Sequence, residues 1–278
     1  MKRVGWLNAI LAAAVAALGL FVYLKPAHTP IEHALSAAKP DAARVVRVER
    51  SGATPLVLEK RGEEWFLTSP LAARASPPQV ERLLAIAGAK SAVRLAATDL
   101  ARFDLERPAV RVTIDGERFD FGIVNEVSRE QYVRAGETVY AVSPRYGAAL
   151  PAGPGDLVDR QLLAKGEIPE HIELNGFTVS REEGKWVAKP PGGDLSQDDL
   201  QRWADDWRHA SALRVEPYGK GAPVAEVKMR FRDGKVLSLG VLSREPEVAL
   251  LRPDEKLVYY LSRAAAKRLL APPVEARK

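Results

Sequence analysis

Residues 109–124 read AVRVTIDGERFDFGIV, and this stretch decides the fold. Val110, Val112 and Ile114 alternate with polar residues, then Asp115-Gly116 interrupts, then Phe119 and Phe121 alternate with Arg118 and Asp120. A period of two marks half-buried strands, and Asp-Gly tolerates the positive φ angles of a tight turn. Ala109–Ile114 and Arg118–Val124 are therefore a β-hairpin. The pattern returns about 120 residues later, as Val227–Phe231, Asp233-Gly234 and Lys235–Leu242.

Working outward, the match extends over most of the chain. Trp65 in Glu64-Trp65-Phe66-Leu67 answers Trp186 in Lys185-Trp186-Val187-Ala188, Ser76 answers Ser196, and Phe121-Gly122 answers Leu239-Gly240. Val133-Arg134 answers Leu251-Arg252, and Val139–Ser143 answers Val258–Ser262. Collinear matches at one shift mean a duplicated unit rather than a solenoid of short repeats. Each copy opens with short strands: Arg44–Arg50, Leu56–Lys60 and Trp65–Thr68 in the first; Ile172–Leu174, Phe177–Arg181 and Lys185–Ala188, with an Asn175-Gly176 turn, in the second. A helix follows. Ser76 and Ser196 stand at N-cap positions, and Val80, Leu83, Leu84 and Ala87 share one helical face, as do Leu200, Trp203, Ala204 and Trp207. A second pair of hairpin strands, Gln131–Ala135/Thr138–Val142 and Val248–Arg252/Leu257–Leu261, leads to a short helix at Ser143–Leu150 and at Ser262–Leu270. The expected class is α+β: an N-terminal transmembrane helix, then two tandem repeats of mainly antiparallel sheet with one longer and one short helix each.

The N-terminal stretch Val4–Leu24, VGWLNAILAAAVAALGLFVYL, carries no charge. As a helix it extends about 31 Å, the depth of a hydrocarbon core. It is longer than a signal h-region and exits through Tyr23-Leu24-Lys25-Pro26, a poor cleavage site, so an uncleaved anchor is expected. Lys2 and Arg3 orient the N-terminus to the cytoplasm, placing the chain in the inner membrane as a single-pass protein with its C-terminal domain periplasmic. The expected organisation is stub and anchor over 1–25, linker over 26–42, repeat 1 over 43–152, connector over 153–167, repeat 2 over 168–273 and a disordered tail over 274–278. Within the spacer, Ile31–Ala38 has the makings of a short helix.

The 278 residues carry a formal net charge of +5. Residues 1–25 hold Lys2, Arg3 and Lys25 and no acid, so most of that excess is topological and no nucleic-acid partner is expected. The chain has no cysteine, which excludes disulfide scaffolds, thiolate metal sites and cysteine nucleophiles. His28, His33, His171 and His209 show no ligand spacing, and no metal or cofactor is expected. Glu63-Glu64, Glu182-Glu183, Asp198-Asp199 and Asp205-Asp206 read as solvated surface. No nucleophile elbow, phosphate loop or dinucleotide fingerprint is present, and the glycine clusters Pro190-Pro191-Gly192-Gly193-Asp194 and Gly153-Pro154-Gly155-Asp156 read as connecting loops. The chain is not expected to be an enzyme. Trp65, Trp186, Trp203 and Trp207 read as core, with Trp207 beside Arg208 the one nearest a ligand surface.

Glu64–Pro70, Phe103-Asp104-Leu105-Glu106-Arg107-Pro108, Gln131-Tyr132-Val133-Arg134, Val139–Val142 and Asp159-Arg160-Gln161-Leu162-Leu163 together resemble family 4340 of the domains of unknown function. The resemblance covers nearly everything after residue 42. It implies an N-terminal anchor, a tryptophan-then-proline strand, a Gly-Leu-Asp-x-Pro-like turn and an aspartate-arginine-leucine-leucine segment between repeats. It also implies an envelope accessory role beside ABC-type transport or motility-like systems. It brings no catalytic residues. The expected function is a membrane-anchored extracytoplasmic adaptor binding another envelope protein; the alternative is a periplasmic ligand-binding module using the cleft between the repeats.

Overall fold

A computed structural model describes residues 2–24, 31–190, 195–245 and 247–271. The expected tail over 274–278, His28 and the Gly192-Gly193 cluster lie outside these residues. Helix α1 spans Lys2–Leu24, and its described side chains, among them Trp6, Leu11, Val15 and Phe21, are exposed. The expected transmembrane anchor is corrected: among the described residues, no helix is long and apolar enough to cross a membrane. The inner-membrane, single-pass placement with a periplasmic C-terminal domain rested on that span and is corrected with it.

The remainder is strand-dominated. In the first half, β1 (His33–Ala34), β2 (Val45–Arg50), β3 (Leu56–Arg61), β4 (Glu64–Ser69) and β5 (Ala73–Arg74) precede helix α2 (Pro77–Leu84). Then come β6 (Lys90–Ser91), β7 (Arg94–Ala96), β8 (Val110–Ile114), β9 (Glu117–Val124), β10 (Gln131–Ala135), β11 (Thr138–Val142) and α3 (Arg145–Ala148). The second half runs β12 (Pro169–Leu174), β13 (Phe177–Glu182), β14 (Lys185–Lys189), α4 (Gln197–Arg208), β15 (Arg214–Pro217), β16 (Ala225–Phe231), β17 (Val236–Ser243), β18 (Val248–Arg252), β19 (Leu257–Leu261) and α5 (Arg263–Leu270). The nine-stranded sheet has the order β5-β4-β3-β2-β8-β9-β10-β11-β7, and the eight-stranded sheet β14-β13-β12-β16-β17-β18-β19-β15. Without β5, the two orders are the same strand for strand. In both, the strand that carries the tryptophan, β4 with Trp65 and β14 with Trp186, ends at a cis X–Pro bond, Ser69–Pro70 and Lys189–Pro190.

The α+β expectation is corrected to a mostly antiparallel β protein with three sheets and few helices. Every strand pairing is antiparallel, α3 is a single turn of four residues, and α2 and α5 have eight residues each, too little helix to form a layer of its own. The segment around Ile31–Ala38 is not helical: β1 pairs with β6 as the third, two-stranded sheet. Ser196 caps α4 as a capping box, its hydroxyl accepting from the Asp199 amide. Ser76 makes no side-chain cap bond on α2: Pro77 and Pro78 carry no amide N–H, and the Gln79 amide donates to the Ser76 carbonyl instead. The turns follow local chemistry: Asp115-Gly116 and Asn175-Gly176 both adopt positive φ at both positions.

Alternate side chains of both large sheets, together with Val80, Leu83, Leu200, Trp203 and Trp207 of the helices, form one continuous core. Each sheet also carries a smaller apolar cluster apart from that core. Phe103 and Leu105 pack on Val139 in the first half; Tyr218 packs against Ala249, Leu251 and Val258 in the second. These covering loops press on one glycine each. A Cβ on Gly122 would sit 2.1 Å from the Phe103 carbonyl oxygen, and one on Gly240 would sit 2.7 Å from Cγ of Pro223. Gly122→Ala is expected to destabilise the protein by about 2–3 kcal/mol, the cost of forcing backbone apart. Gly240→Ala should cost less, because a proline ring yields more readily than a carbonyl. Urea unfolding of the two variants checks the order.

Candidate functional site

The two halves are joined by the stretch between β11 and β12, and it is stitched to both. The Ser76 amide donates to the Leu157 carbonyl at 2.7 Å, and the Asp159 amide to the Arg74 carbonyl at 2.8 Å. On the other side the Leu162 amide donates to Ala210 O, and the Ala212 amide to Arg160 O, both at 2.8 Å. The segment Asp159-Arg160-Gln161-Leu162-Leu163 thus lies between the residues preceding α2 and those following α4. Leu157, Val158, Leu162 and Leu163 turn into the core, and Arg160, Gln161 and Lys165 turn to solvent.

Two arginines, Arg252 buried and Arg74 half-buried, hold its carbonyls. Arg74, from the first half, donates through Nη2 to Gln161 O at 2.6 Å and to the Tyr259 hydroxyl at 3.1 Å, through Nε to Glu255 at 2.7 Å and through Nη1 to Asp159 at 3.1 Å. Arg252, from the second half, donates to Leu162 O at 2.7 Å and takes Glu167 bidentately at 2.8 and 2.5 Å. Burial and the neighbouring Glu255 carboxylate, to which its hydroxyl donates, raise the Tyr259 pKa. Burial opposes ionisation of Glu167, but hydrogen bonds from Arg252 and from the Ala164 amide outweigh it and hold the carboxyl below its usual range. Among the described residues, no group of three or more side chains is arranged to hold a metal ion.

Beside this junction opens a cleft of about 640 Å³, walled by the start of α2 (Ser76–Gln79), by the connector from Asp156 to Lys165, and by Arg208 and His209 at the end of α4. A cavity of about 320 Å³ lined by Glu63, Glu64, Trp65 and Arg74 shares Pro77, Asp159, Ala164 and Lys165 with it. The volume is that of a small-molecule site. Its two acids are already engaged. Asp156 accepts from the Ala152 and Gly153 amides, and Asp159 from Arg74 and the Gln161 amide. Arg160, Lys165 and Arg208 are exposed, and among the described residues none of them forms an ion pair.

The residues singled out by sequence fall as follows. His209 lines the cleft, its Nδ1 lying 2.9 Å from the Asp205 carbonyl; His171 lies on β12 and His33 on β1, apart from it. Of the acidic pairs, Glu63-Glu64 line the smaller cavity and Asp199 caps α4. Trp186, Trp203 and Trp207 are buried in the core, so Trp207 offers no ligand surface; its neighbour Arg208 does. Arg160 is legible only as part of a family-like segment and Arg252 only as the counterpart of Arg134 in the repeat, while Lys165 and Arg74 carry no signal in sequence.

The sequence profile of the family described as Domain of unknown function (DUF4340) matches residues 65–216, more than half of the chain. The chain belongs to this family. The DUF4340 match runs from β4 to β15 and contains every residue lining the larger cleft. No curated protein and no solved structure matches the chain.

A second concentration of charge, on the first sheet, gathers three arginines around one buried carboxylate. The Asp120 side chain is 1% exposed and accepts from Arg111 Nε and Arg118 Nε at 2.8 Å each and from Arg134 Nη2 at 2.7 Å. Burial opposes its ionisation, yet the hydrogen bonds from Arg118, Arg111 and Arg134 prevail and its pKa is lowered. A carboxyl with a depressed folded pKa stabilises fully above its unfolded value of about 4 and loses that contribution as pH falls through the folded value. Asp120→Asn is therefore expected to cost about 2–3 kcal/mol at pH 7, with the gap from wild type closing below about pH 4. Urea unfolding across pH checks this. Arg74→Met should cost about 3–5 kcal/mol by stranding Glu255 and Asp159. Arg74→Lys should recover only part of it, since an ammonium cannot reproduce the guanidinium fork. Chemical denaturation of both variants is the measurement.

Proposed function

We propose that this protein is a ligand-binding module that uses the cleft between its two halves. The observation that carries the reading is the cleft of about 640 Å³ walled by the connector, the start of α2 and the end of α4. Its walls are pinned by backbone pairing and by Arg74 and Arg252, so the site is preformed, and a preformed site binds without an ordering cost. The site offers charged and amide groups around a partly apolar wall of Pro77, Pro78, Val158 and Leu163. That mixture suits a small polar ligand.

A second reading, an adaptor for another protein, is favoured by one feature. Ile123 and Val124 at the end of β9 are 44% and 45% exposed, and Val127 in the loop beyond is 94% exposed, an apolar tip of the kind found at protein contacts.

Thermal-shift screening of the full chain against a chemically diverse small-molecule set separates the two. Stabilising compounds are expected, and Ala164→Trp, which fills the space shared by both cavities, should abolish their effect. Stabilisation that survives Ala164→Trp would overturn the cleft reading. Crosslinking that captures a protein through Val127, and fails with Val127→Ser, would favour the adaptor.

A further inference from the structure

Resting on that reading of the cleft, we propose that its ligand is a small polyanion, bearing at least two oxyanion charges, held by Arg160, Lys165 and Arg208. On the first sheet Arg111, Arg118 and Arg134 share Asp120, and at the junction Arg74 and Arg252 are spent on carboxylates and connector carbonyls. Around the cleft, Arg160, Lys165 and Arg208 form no ion pair among the described residues. Three cations from two separate segments line one cavity with two carboxylates, of which Asp159 is paired with Arg74 and Asp156 accepts from backbone amides, so positive charge is in excess there.

The cations also stand on fixed backbone. The Arg160 carbonyl accepts from the Ala212 amide at 2.8 Å, and Arg208 follows Trp207, which is fully buried. Lys165 follows Ala164, whose amide donates to Glu167 at 2.7 Å. Guanidinium groups on a held backbone present paired N–H donors to the oxygens of a phosphate or carboxylate, and the ammonium adds a point charge. Phosphoryl and carboxylate ligands share this chemistry.

The test is calorimetric titration of the full chain at low ionic strength with inorganic pyrophosphate and, separately, citrate. Binding of at least one is expected, with pyrophosphate alone marking a phosphoryl ligand, citrate alone a polycarboxylate, and both a general polyanion site. Arg160→Gln, Lys165→Gln and Arg208→Gln should each weaken binding about tenfold. Arg94→Gln, which removes an exposed cation on β7 away from the cleft, should leave it unchanged. The proposal is overturned if neither anion binds, or if the three cleft variants bind as the wild type does. If neither anion binds while neutral compounds still stabilise the wild type and not Ala164→Trp, the anionic assignment falls and the cleft survives. Were Ala164→Trp without effect on every ligand, the cleft reading itself would fall.

Discussion

Two guanidinium groups converging on one strand of connector are the constraint on which the rest of the structure depends. Arg74 and Arg252 come from different halves, and both donate to connector carbonyls, meeting at Leu162 O. An extended segment between two sheets would otherwise bury carbonyls and carboxylates without donors, a cost of about 1–3 kcal/mol for each neutral group and more for each charge. The arginines satisfy these groups, which leaves Leu157, Val158, Leu162 and Leu163 able to enter the core and weld the two halves into one hydrophobic unit. The cleft is a consequence: the same segment that turns its leucines inward turns Arg160 and Lys165 outward.

The two halves keep one strand order but spend their polar residues differently. Arg134 and Arg252 occupy matching places, on β10 and β18. The first meets the buried Asp120; the second has Ser238 at the place matching Asp120 and turns to Glu167 beside the connector. The matching glycines, Gly122 and Gly240, keep the same job, because each half lays a loop over the sheet where no Cβ fits. Packing constraints thus stayed common to both halves, while charge partners diverged where one half faces the connector and the other faces solvent.

Strands and turns were legible because they obey local rules. The two-residue period of Val110–Ile114, the Asp115-Gly116 turn and the face of Leu200, Trp203 and Trp207 are written within a dozen residues, and the structure forms a strand, a turn and a helix there. The helical content was overestimated, since Ser143–Leu150 yields a single turn in α3 and Ile31–Ala38 contributes a strand. The membrane reading of Val4–Leu24 drew on its uncharged length, its flanking charges and the family resemblance, whereas among the described residues no helix is long and apolar enough to cross a membrane. The binding surface was half legible: Arg160 sits in a family-like segment, but Trp207 drew the attention that belongs to Arg208, because burial at a helix end depends on which way the last turn faces.

By itself the sequence determined the hairpins and tight turns, which follow from residue spacing over short range, and the collinear pattern and the family, which follow from matching long stretches residue by residue. Only the tertiary structure decided which charges are neutralised and which are left facing a cavity. Arg74 meets Glu255 across 181 positions of chain, and Arg252 meets Glu167 across 85. Coulombic and hydrogen-bond pairing depend on distance in space, and no period or motif along the chain encodes contacts of that separation.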